Sequence, residues 1–299
     1  MSVVSIIAPL LVIAILGYGA SRSQWFSREQ INGISQFAFY LCIPALLFST
    51  MWQVPLSQSL NATVLLAFYI PVVSCFLVVL AFGHWYLQRP WAKCAVMALS
   101  GSYSNCLLVG LPVIVAAFGE AQMARVFIII TFHSAILFSL TLAFGGQGGR
   151  RQALKDLFVN PVILSIGLGL LANVLAVPMP SVAKASLSML ATPAITCALF
   201  VLGANLHYYR LNTSWVPALG LALVKLLLLP AMVFACGHAL GLSELDIAVT
   251  VLLAASPLGV NAYLIAVKLQ QDADITASSV VISSGLSALS VASWLSLLT

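Results

Sequence analysis

Charged residues are scarce in this chain. Only 12 basic and 7 acidic side chains occur among 299 residues, or 6% of the total, whereas a soluble domain carries about 25%. So few charges cannot cover the surface of a folded soluble protein of this length. The composition therefore excludes an ordinary soluble enzyme and a disordered chain. The basic residues are spread over short loops rather than gathered on one face, which excludes a nucleic-acid-binding protein.

Metal and nucleotide motifs are also missing from the sequence. There is no Cys-x-x-Cys pair, no Cys/His cluster and no phosphate-binding glycine loop, so we expect neither a bound metal nor another cofactor. The cysteines lie singly in apolar stretches or at their ends, and we expect them to be small buried apolar residues rather than disulfide partners. They are Cys42, Cys75, Cys94, Cys106, Cys197 and Cys236.

Apolar residues, in contrast, make up 62% of the chain and give a mean hydropathy of +1.10. A membrane-spanning helix needs about 20 mainly apolar residues, and ten such stretches are separated by charges and turn residues. The sequence therefore predicts an all-α integral membrane protein. The predicted spans are 2–21, 33–52, 61–87, 94–118, 126–145, 159–177, 182–203, 215–241, 246–268 and 275–298.

The distribution of Lys and Arg predicts the orientation of these spans, because cytoplasmic loops are enriched in positive charge. Loops on one side carry Arg22, Arg28, Arg89, Lys93, Arg150, Arg151, Lys155, Arg210 and Lys268, and loops on the other carry only Arg125 and Lys184. We expect a multi-pass protein of a plasma membrane, the inner membrane in a bacterium, with both termini outside. The first span lacks the preceding positive charge of a cleaved signal peptide.

The spans divide into two sets of five. Residues 1–145 form the first predicted repeat, residues 146–158 a cytoplasmic Gly/Arg loop, and residues 159–299 the second repeat. Since five is odd, the two repeats have opposite orientations, which is the pattern of an inverted-topology repeat. Prolines support this pairing, because Pro44 and Pro193 lie within the second span of each repeat, and Pro71 and Pro230 within the third.

The fourth span of each repeat contains residues that interrupt helices. These are Asn105, Gly110 and Pro112 in one span and Pro257, Gly259 and Asn261 in the other. Interrupted backbone at membrane depth is tolerated where it is buried in protein or lines a cavity. We therefore expect two broken helices to meet, with their amino-terminal ends and both Asn side chains forming an anion site and the Asn residues also capping the new helices. The alternative is a pair of kinked helices packed through small residues.

These interrupted spans resemble the auxin efflux carrier family, which includes plant auxin carriers and bacterial permeases of the malonate-transporter type. The most specific match is the run from Asn105 to Pro112 followed by Phe118-Gly119, which is similar to the family's Asn-x-x-x-x-Gly-(Ile/Leu)-Pro crossover. Weaker similarities along the whole chain are Ser256-Pro257-Leu258-Gly259-Val260, Pro44 in its Ile-Pro-Ala-Leu-Leu run, and Lys225 before Pro230.

The resemblance implies ten helices in two inverted five-helix repeats, a scaffold part and a transport part. It also implies an elevator-like movement that carries an organic anion bound where the broken helices cross. Two departures concern the substrate. Leu47 replaces a small polar residue of the plant carriers, and His133-Ser134 replaces an aromatic–Asn pair, so auxin is not implied.

Two basic residues inside predicted spans have open roles. His133 lies in mid-span beside Ser134, and both are candidates to line the substrate site. His133 would act as a proton relay or anion contact, or as a neutral imidazole bonded to a neighbouring carbonyl. Lys225 would balance a bound carboxylate, or extend its ammonium to the cytoplasmic interface. No acidic residue lies near the middle of a predicted span, which favours an anionic substrate.

We therefore expect a non-enzymatic transporter of a small mono- or dicarboxylate, driven by the substrate gradient, the membrane potential or protons. Its partners would be this anion and the lipid bilayer, and a homodimer is one candidate assembly. An intramembrane serine hydrolase that uses Ser287 with His133 as base is a second hypothesis, resting on the incomplete nucleophile motif Gly285-Leu286-Ser287. A substrate-sensing or channel-like protein is a third.

Overall fold

A computed structural model describes residues 3–53, 62–145, 161–208 and 215–298, and the predicted cytoplasmic loop 146–158 lies outside these ranges. The described backbone is helical and contains no strand beyond a single pair of bridged residues. Within these ranges, six helices are long and apolar enough to cross a membrane. The prediction of an all-helical chain with several membrane-spanning helices is confirmed for this part of the molecule.

The described residues of the first half form six helices longer than one turn. Their bounds are α1 Val3–Arg22, α2 Arg28–Gln53, α3 Ala62–Tyr86, α4 Trp91–Ser102, α5 Cys106–Phe118 and α6 Met123–Gly145. The first three and the last agree with the predicted spans to within a few residues. The predicted fourth span, 94–118, is two helices, α4 and α5, with a short non-helical break between them.

The described residues of the second half likewise form helices that include one broken pair. Its helices are α7 Pro161–Val174, α8 Ser181–Leu206, α9 Trp215–Ala239, α10 Glu244–Ala255, α11 Val260–Leu269 and α12 Ala273–Leu298. A turn at 192–193, which contains Pro193, interrupts α8. The predicted ninth span, 246–268, is again two helices, α10 and α11, so the expected interruption occurs at the corresponding position of both halves.

Three of the prolines inside the described helices follow π-helical turns. These turns cover Ala38–Cys42, Cys106–Gly110 and Val224–Leu228, and each of the three ends two residues before a proline. A proline inside a helix leaves the carbonyl four residues earlier without its usual N–H donor. For Pro230 that carbonyl belongs to Leu226, and the hydroxyl of Ser290 donates to it at 2.8 Å. The α12 helix thereby supplies the hydrogen bond that α9 lacks.

The helices pack into two groups. The frame group consists of α1, α2, α7 and α8, in which α1 packs on α8 and α2 on α7. The backbones of α1 and α8 approach so closely that a Cβ atom on Gly203 would lie 1.8 Å from the Ala14 carbonyl oxygen. Between α7 and α2, the Asn173 amide donates to the Met51 and Trp52 carbonyls at 3.0 and 2.8 Å.

The crossover group contains the remaining helices, α3 to α6 and α9 to α12. Here α3 packs on α4 and α9, α4 packs on α6, and α10 packs on α9 and α12. The two broken pairs, α4–α5 and α10–α11, lie at the centre of this group, and their buried residues belong to the main hydrophobic core. This arrangement holds both breaks inside protein rather than against lipid.

Candidate functional site

The two helix breaks lie side by side and pair through their backbones. Ser104 and Leu258 form an antiparallel bridge. The Asn105 N–H donates to the Pro257 carbonyl at 2.8 Å, and the Gly259 N–H donates to the Tyr103 carbonyl at 3.2 Å. Unpaired backbone groups are costly away from water, and each break removes part of that cost for the other. We call this paired segment, 103–105 with 256–259, the crossover.

Two side chains from neighbouring helices complete the backbone hydrogen bonding. Ser283 of α12 accepts from the Leu258 N–H at 3.1 Å, and the Nε2 atom of His133 accepts from the Ser104 N–H at 2.9 Å. Because Nε2 is the acceptor, a neutral imidazole here carries its proton on Nδ1. Of the two interpretations of His133, the one in which a neutral imidazole bonds a neighbouring carbonyl is wrong, since its partner among the described residues is a backbone N–H.

The two asparagines differ in role. Asn105 caps α5, as expected, because its Oδ1 atom accepts from the Leu108 N–H at 3.3 Å. Asn261 does not cap α11, whose N-cap residue is Gly259. Its Nδ2 atom donates instead to the Tyr103 hydroxyl at 3.3 Å. The prediction that both asparagines cap the broken ends is therefore correct for one and wrong for the other.

Gly110 and Pro112 lie outside the break that they were expected to form. Gly110 ends the π-helical turn of α5, and a Cβ atom there would lie 2.8 Å from Leu253 and 2.9 Å from the Ser256 hydroxyl. Its small size therefore allows α5 to approach α10. Pro112 lies inside α5, two residues after its π-helical turn ends. Pro257 does lie in its break and contributes the carbonyl that pairs with Asn105.

Tyr103 links several parts of the crossover, and sequence reasoning did not select it. Its hydroxyl lies 2.9 Å from the Ser134 hydroxyl, and its ring stacks on His133 with centroids 5.0 Å apart. A Cβ atom on Gly259 would lie 2.5 Å from this ring. The sequence did contain one signal for Tyr103, because it is a single aromatic residue among small polar residues at a predicted break.

A cavity of about 360 Å³ opens beside the crossover. From the crossover group it is lined by Tyr103, Ser104, Asn105, His133, Ser134, Gly259 and Asn261. The frame group contributes Ser35 and Tyr40 of α2 and Asn205 of α8. Sequence reasoning missed these three because nothing in their own spans marks them as neighbours of the crossover. Gly110, Pro112 and Pro257 do not line this cavity.

Three residues that line the cavity each have a buried polar atom without a hydrogen-bond partner among the described residues. These atoms are the Ser104 hydroxyl, the Asn105 Nδ2 amide and the Nδ1 atom of His133. All three residues are nine-tenths or more buried. Buried polar groups are normally satisfied, so each exception calls for an explanation. Nδ2 and protonated Nδ1 are donors and the hydroxyl can donate, so the set matches a ligand rich in acceptor oxygens.

Lys225 lies in the π-helical turn of α9 and does not line the cavity. Its side chain is fully buried, and its ammonium donates to the Ala254 carbonyl in the last turn of α10. The alternative in which the ammonium extends to the cytoplasmic interface is therefore wrong. Among the described buried residues, Lys225 alone has a formally charged side chain, and none of them is acidic.

The residues of the hydrolase hypothesis do not meet. The Ser287 hydroxyl donates to the Ser284 carbonyl of its own helix at 2.7 Å, and Ser287 lines a different, mainly apolar cavity beside α1 and α8. His133 faces the crossover cavity. Within the described ranges, no group of three or more His, Cys, Asp or Glu side chains lies close enough to hold a metal ion.

Comparisons with known proteins agree with a transport role. A family model described as "Membrane transport protein" matches residues 2–151 and 149–295. A Rhizobium meliloti protein named "Putative malonate transporter" is 24% identical, over 88% of this chain and 85% of its own length. An "Uncharacterized transporter" of Methanothermobacter thermautotrophicus is 26% identical over 95% of each chain. "Uncharacterized transporter YfdV" of Escherichia coli is 23% identical over 86% of this chain and 85% of its own.

Proposed function

The chain belongs to the membrane transport protein family, the auxin efflux carrier family that its motifs resemble, and on this premise we propose that it carries a small organic anion across the membrane. The substrate class is a mono- or dicarboxylate, bound at the crossover. The mechanism is elevator-type alternating access, in which the crossover group moves against the frame group. Asn105, His133 and Ser134 contact the anion, and Asn261 and Gly259 shape its site.

The three unpartnered atoms of residues that line the cavity carry this proposal. A carboxylate only accepts hydrogen bonds, and it offers about four lone-pair positions. The Asn105 amide, the Nδ1–H of His133 and the Ser104 hydroxyl supply matching donors. The amino-terminal ends of α5 and α11 begin at the same cavity, at Asn105 and Gly259, and add partial positive charge. A bound anion meets no buried carboxylate in the described part of the chain.

Contacts between distant segments support the ten-span layout with inverted repeats. In that layout, α4 with α5 and α10 with α11 each count as one crossing. Ion pairs of 3.0 Å join Arg89 to Asp272 and Arg125 to Asp246. The first pair joins two ends predicted to be cytoplasmic, and the second joins two ends predicted to be outside.

Two further contacts also join helix ends that are predicted to lie on the same side of the membrane. The Trp52 indole donates to the Val177 carbonyl at 2.9 Å, between two predicted outer ends. The Tyr18 ring packs edge-on against His207 between two predicted cytoplasmic ends. One missed or extra span would place these partners on opposite sides of the membrane. The contacts therefore support an orientation with both termini outside the plasma membrane.

Cavities along the boundary between the two helix groups support the elevator movement. The crossover cavity reaches the frame group at Ser35, Val162 and Asn205, which lie near predicted cytoplasmic ends. A separate cavity of about 380 Å³, lined in part by Gln53 and Lys184, lies near predicted outer ends. These positions support a conformation in which the crossover site faces the cytoplasm. Movement of the crossover group along the frame group would present it to the other side.

Uptake into proteoliposomes tests the function. Malonate is the first probe, because one relative is named for it, followed by a series of mono- and dicarboxylates. We expect saturable uptake and accelerated exchange when unlabelled substrate is present inside. Absence of saturable carboxylate uptake by folded protein would contradict the proposal. Flux that never saturates and shows no exchange would favour the channel-like hypothesis instead.

A matched variant pair locates the site. Ser134→Ala removes a hydroxyl that faces the cavity, and Thr131→Val removes one that bonds only to Phe127 within the same helix, α6. We expect Ser134→Ala to raise the KM for uptake about 5-fold, since a neutral hydrogen bond contributes about 1 kcal/mol. Thr131→Val should leave uptake unchanged. Equal effects of both substitutions would show that the cavity wall does not bind the substrate.

A further inference from the structure

Four helix ends meet at the crossover, and they do not all favour an anion. The amino-terminal ends of α5 and α11 carry partial positive charge, but the carboxyl-terminal ends of α4 and α10 bring partial negative charge to the same place. Each end amounts to roughly half an elementary charge. Without a compensating group, the two negative ends would offset much of the attraction for a bound carboxylate.

Lys225 is positioned to neutralise one of these negative ends. Its ammonium donates to the Ala254 carbonyl, one residue before the end of α10. The adjoining backbone is fixed, because Ser290 of α12 donates to the Leu226 carbonyl. A buried ammonium at a helix carboxyl terminus is favoured by the dipole and completes the bonding of a terminal carbonyl.

No cation among the described side chains bonds to the end of α4. The Gly101 carbonyl, one residue before that end, accepts only a long contact of 3.7 Å from the thiol of Cys75 on α3. Thiols are weak, uncharged donors. The crossover group therefore holds one buried formal charge among its described residues, and this charge lies beside the second break.

We propose that Lys225 is the fixed countercharge of the anion site and that it travels with the bound substrate. This inference rests on the proposed carrier function, because it requires the crossover group to move across the membrane. Counted over the buried side chains of its described residues, the crossover group carries one positive charge when it is empty. This buried charge is neutralised by a monocarboxylate and becomes one negative charge with a dicarboxylate. Return of the empty carrier is therefore a voltage-dependent step that needs no substrate.

Voltage steps applied to the empty carrier test the proposal. Purified protein is placed at high density in planar bilayers with no substrate on either side. We expect transient currents from the wild type, because an elementary charge that crosses the whole field changes the ratio of the two orientations by up to about 50-fold per 100 mV. Lys225→Met and Lys225→Gln should lose these transients, and Lys225→Arg should retain them.

The possible results separate the two proposals. A wild type that takes up malonate but gives no substrate-free transient overturns the countercharge and leaves the carrier function intact. The same is true if Lys225→Met keeps the transient unchanged. If Lys225→Met fails to fold, the measurement relies on the wild type and Lys225→Arg, and the absence of a substrate-free transient in both would overturn the countercharge. A wild-type transient without uptake of any carboxylate would support the moving charge and contradict the proposed substrate class.

Discussion

The two breaks of the crossover have similar backbones and different side chains. In the first break, the Ser104 hydroxyl and the Asn105 amide have no partner among the described residues. In the second, the Ser256 hydroxyl donates to the Leu252 carbonyl at 3.0 Å, and the nearby Asn261 amide is bonded to Tyr103. The buried cation, Lys225, belongs to the second. The two breaks thus differ in chemistry. The first has hydrogen-bond donors without a partner among the described residues, and the second has a buried cation and polar side chains that already bond within the protein.

Replacing Asn105 gives the largest effect if this division is correct. Asn105→Asp keeps an oxygen that caps α5 but replaces the free amide donor with a negative charge. We expect uptake efficiency, kcat/KM, to fall roughly 10- to 100-fold, since a hydrogen bond to a charged group contributes about 1.5–3 kcal/mol. The thermal unfolding temperature in detergent should stay close to that of the wild type, because the cap is retained.

Asn261→Ala is the matching change at the second break. Its amide already bonds to the Tyr103 hydroxyl, so we expect only about a 5-fold loss of uptake, or about 1 kcal/mol. A comparison of kcat/KM between Asn105→Asp and Asn261→Ala tests whether the first break contributes more to binding than the second. Equal losses at Asn105 and Asn261 would show that the breaks contribute equally to binding.

His133 tests how much the first break depends on a third helix. His133→Leu leaves the buried Ser104 N–H without its acceptor, which costs about 1–3 kcal/mol. We expect a lower Tm in detergent together with reduced uptake. Because a Gln side chain can supply an acceptor oxygen, His133→Gln should recover part of the stability. An unchanged Tm for His133→Leu would mean that the Ser104 N–H finds another partner.

Gly259, in the second break, and Gly110, in the π-helical turn of α5, differ in what surrounds them. A Cβ atom on Gly259 meets the buried Tyr103 ring at 2.5 Å, and one on Gly110 meets the ends of Leu253 and Ser256 at 2.8 and 2.9 Å. Overpacking costs about 1–3 kcal/mol. We expect Gly259→Ala near the upper value and Gly110→Ala near the lower one, because the stacked ring has less freedom to move. Urea unfolding in detergent compares them, and the reverse order would contradict the packing described here.

Tyr103→Phe is expected to have the smallest effect. It removes the hydroxyl shared by Ser134 and Asn261 but keeps the ring that stacks on His133. We expect a KM change of about 2- to 5-fold and a stability loss of about 1 kcal/mol. Uptake kinetics and Tm measure the two quantities. A loss as large as that of Asn105→Asp would mean that the second break acts in binding through this hydroxyl.

Sequence patterns located both breaks and three of the residues in them, Asn105, Pro257 and Gly259, but Gly110 and Pro112 were misplaced. Gly, Pro and Asn in corresponding spans predicted two interrupted helices, and both occur. Pro112 was misread, because it lies inside α5, just after the π-helical turn of that helix, and not where the chain is broken. The break lies seven to nine residues earlier, at 103–105. Local sequence cannot show which of these positions is unwound, because the backbone hydrogen bonds of the break are made by a segment from the other half of the chain.

The contacts of the site were also beyond sequence reasoning. His133 was selected for its depth in a span, but its bond to the Ser104 N–H depends on how α6 packs beside the crossover. Asn205 and Tyr40 reach the cavity from the frame group, and Lys225 reaches the end of α10 from α9. Each of these contacts depends on how the helices pack against each other. Neither the periodicity nor the spacing of residues in a single sequence predicts such a contact.

The pairing of the two breaks also has a consequence for biosynthesis. The Asn105 N–H pairs with the Pro257 carbonyl, which the ribosome adds about 150 residues later. At roughly 5–20 residues per second, that delay lasts about 8–30 s. During this interval the Asn105 N–H of the newly inserted first half lacks the acceptor that it has in the folded protein. We therefore expect nascent chains that stop before residue 257 to remain bound to the insertion machinery or to be degraded.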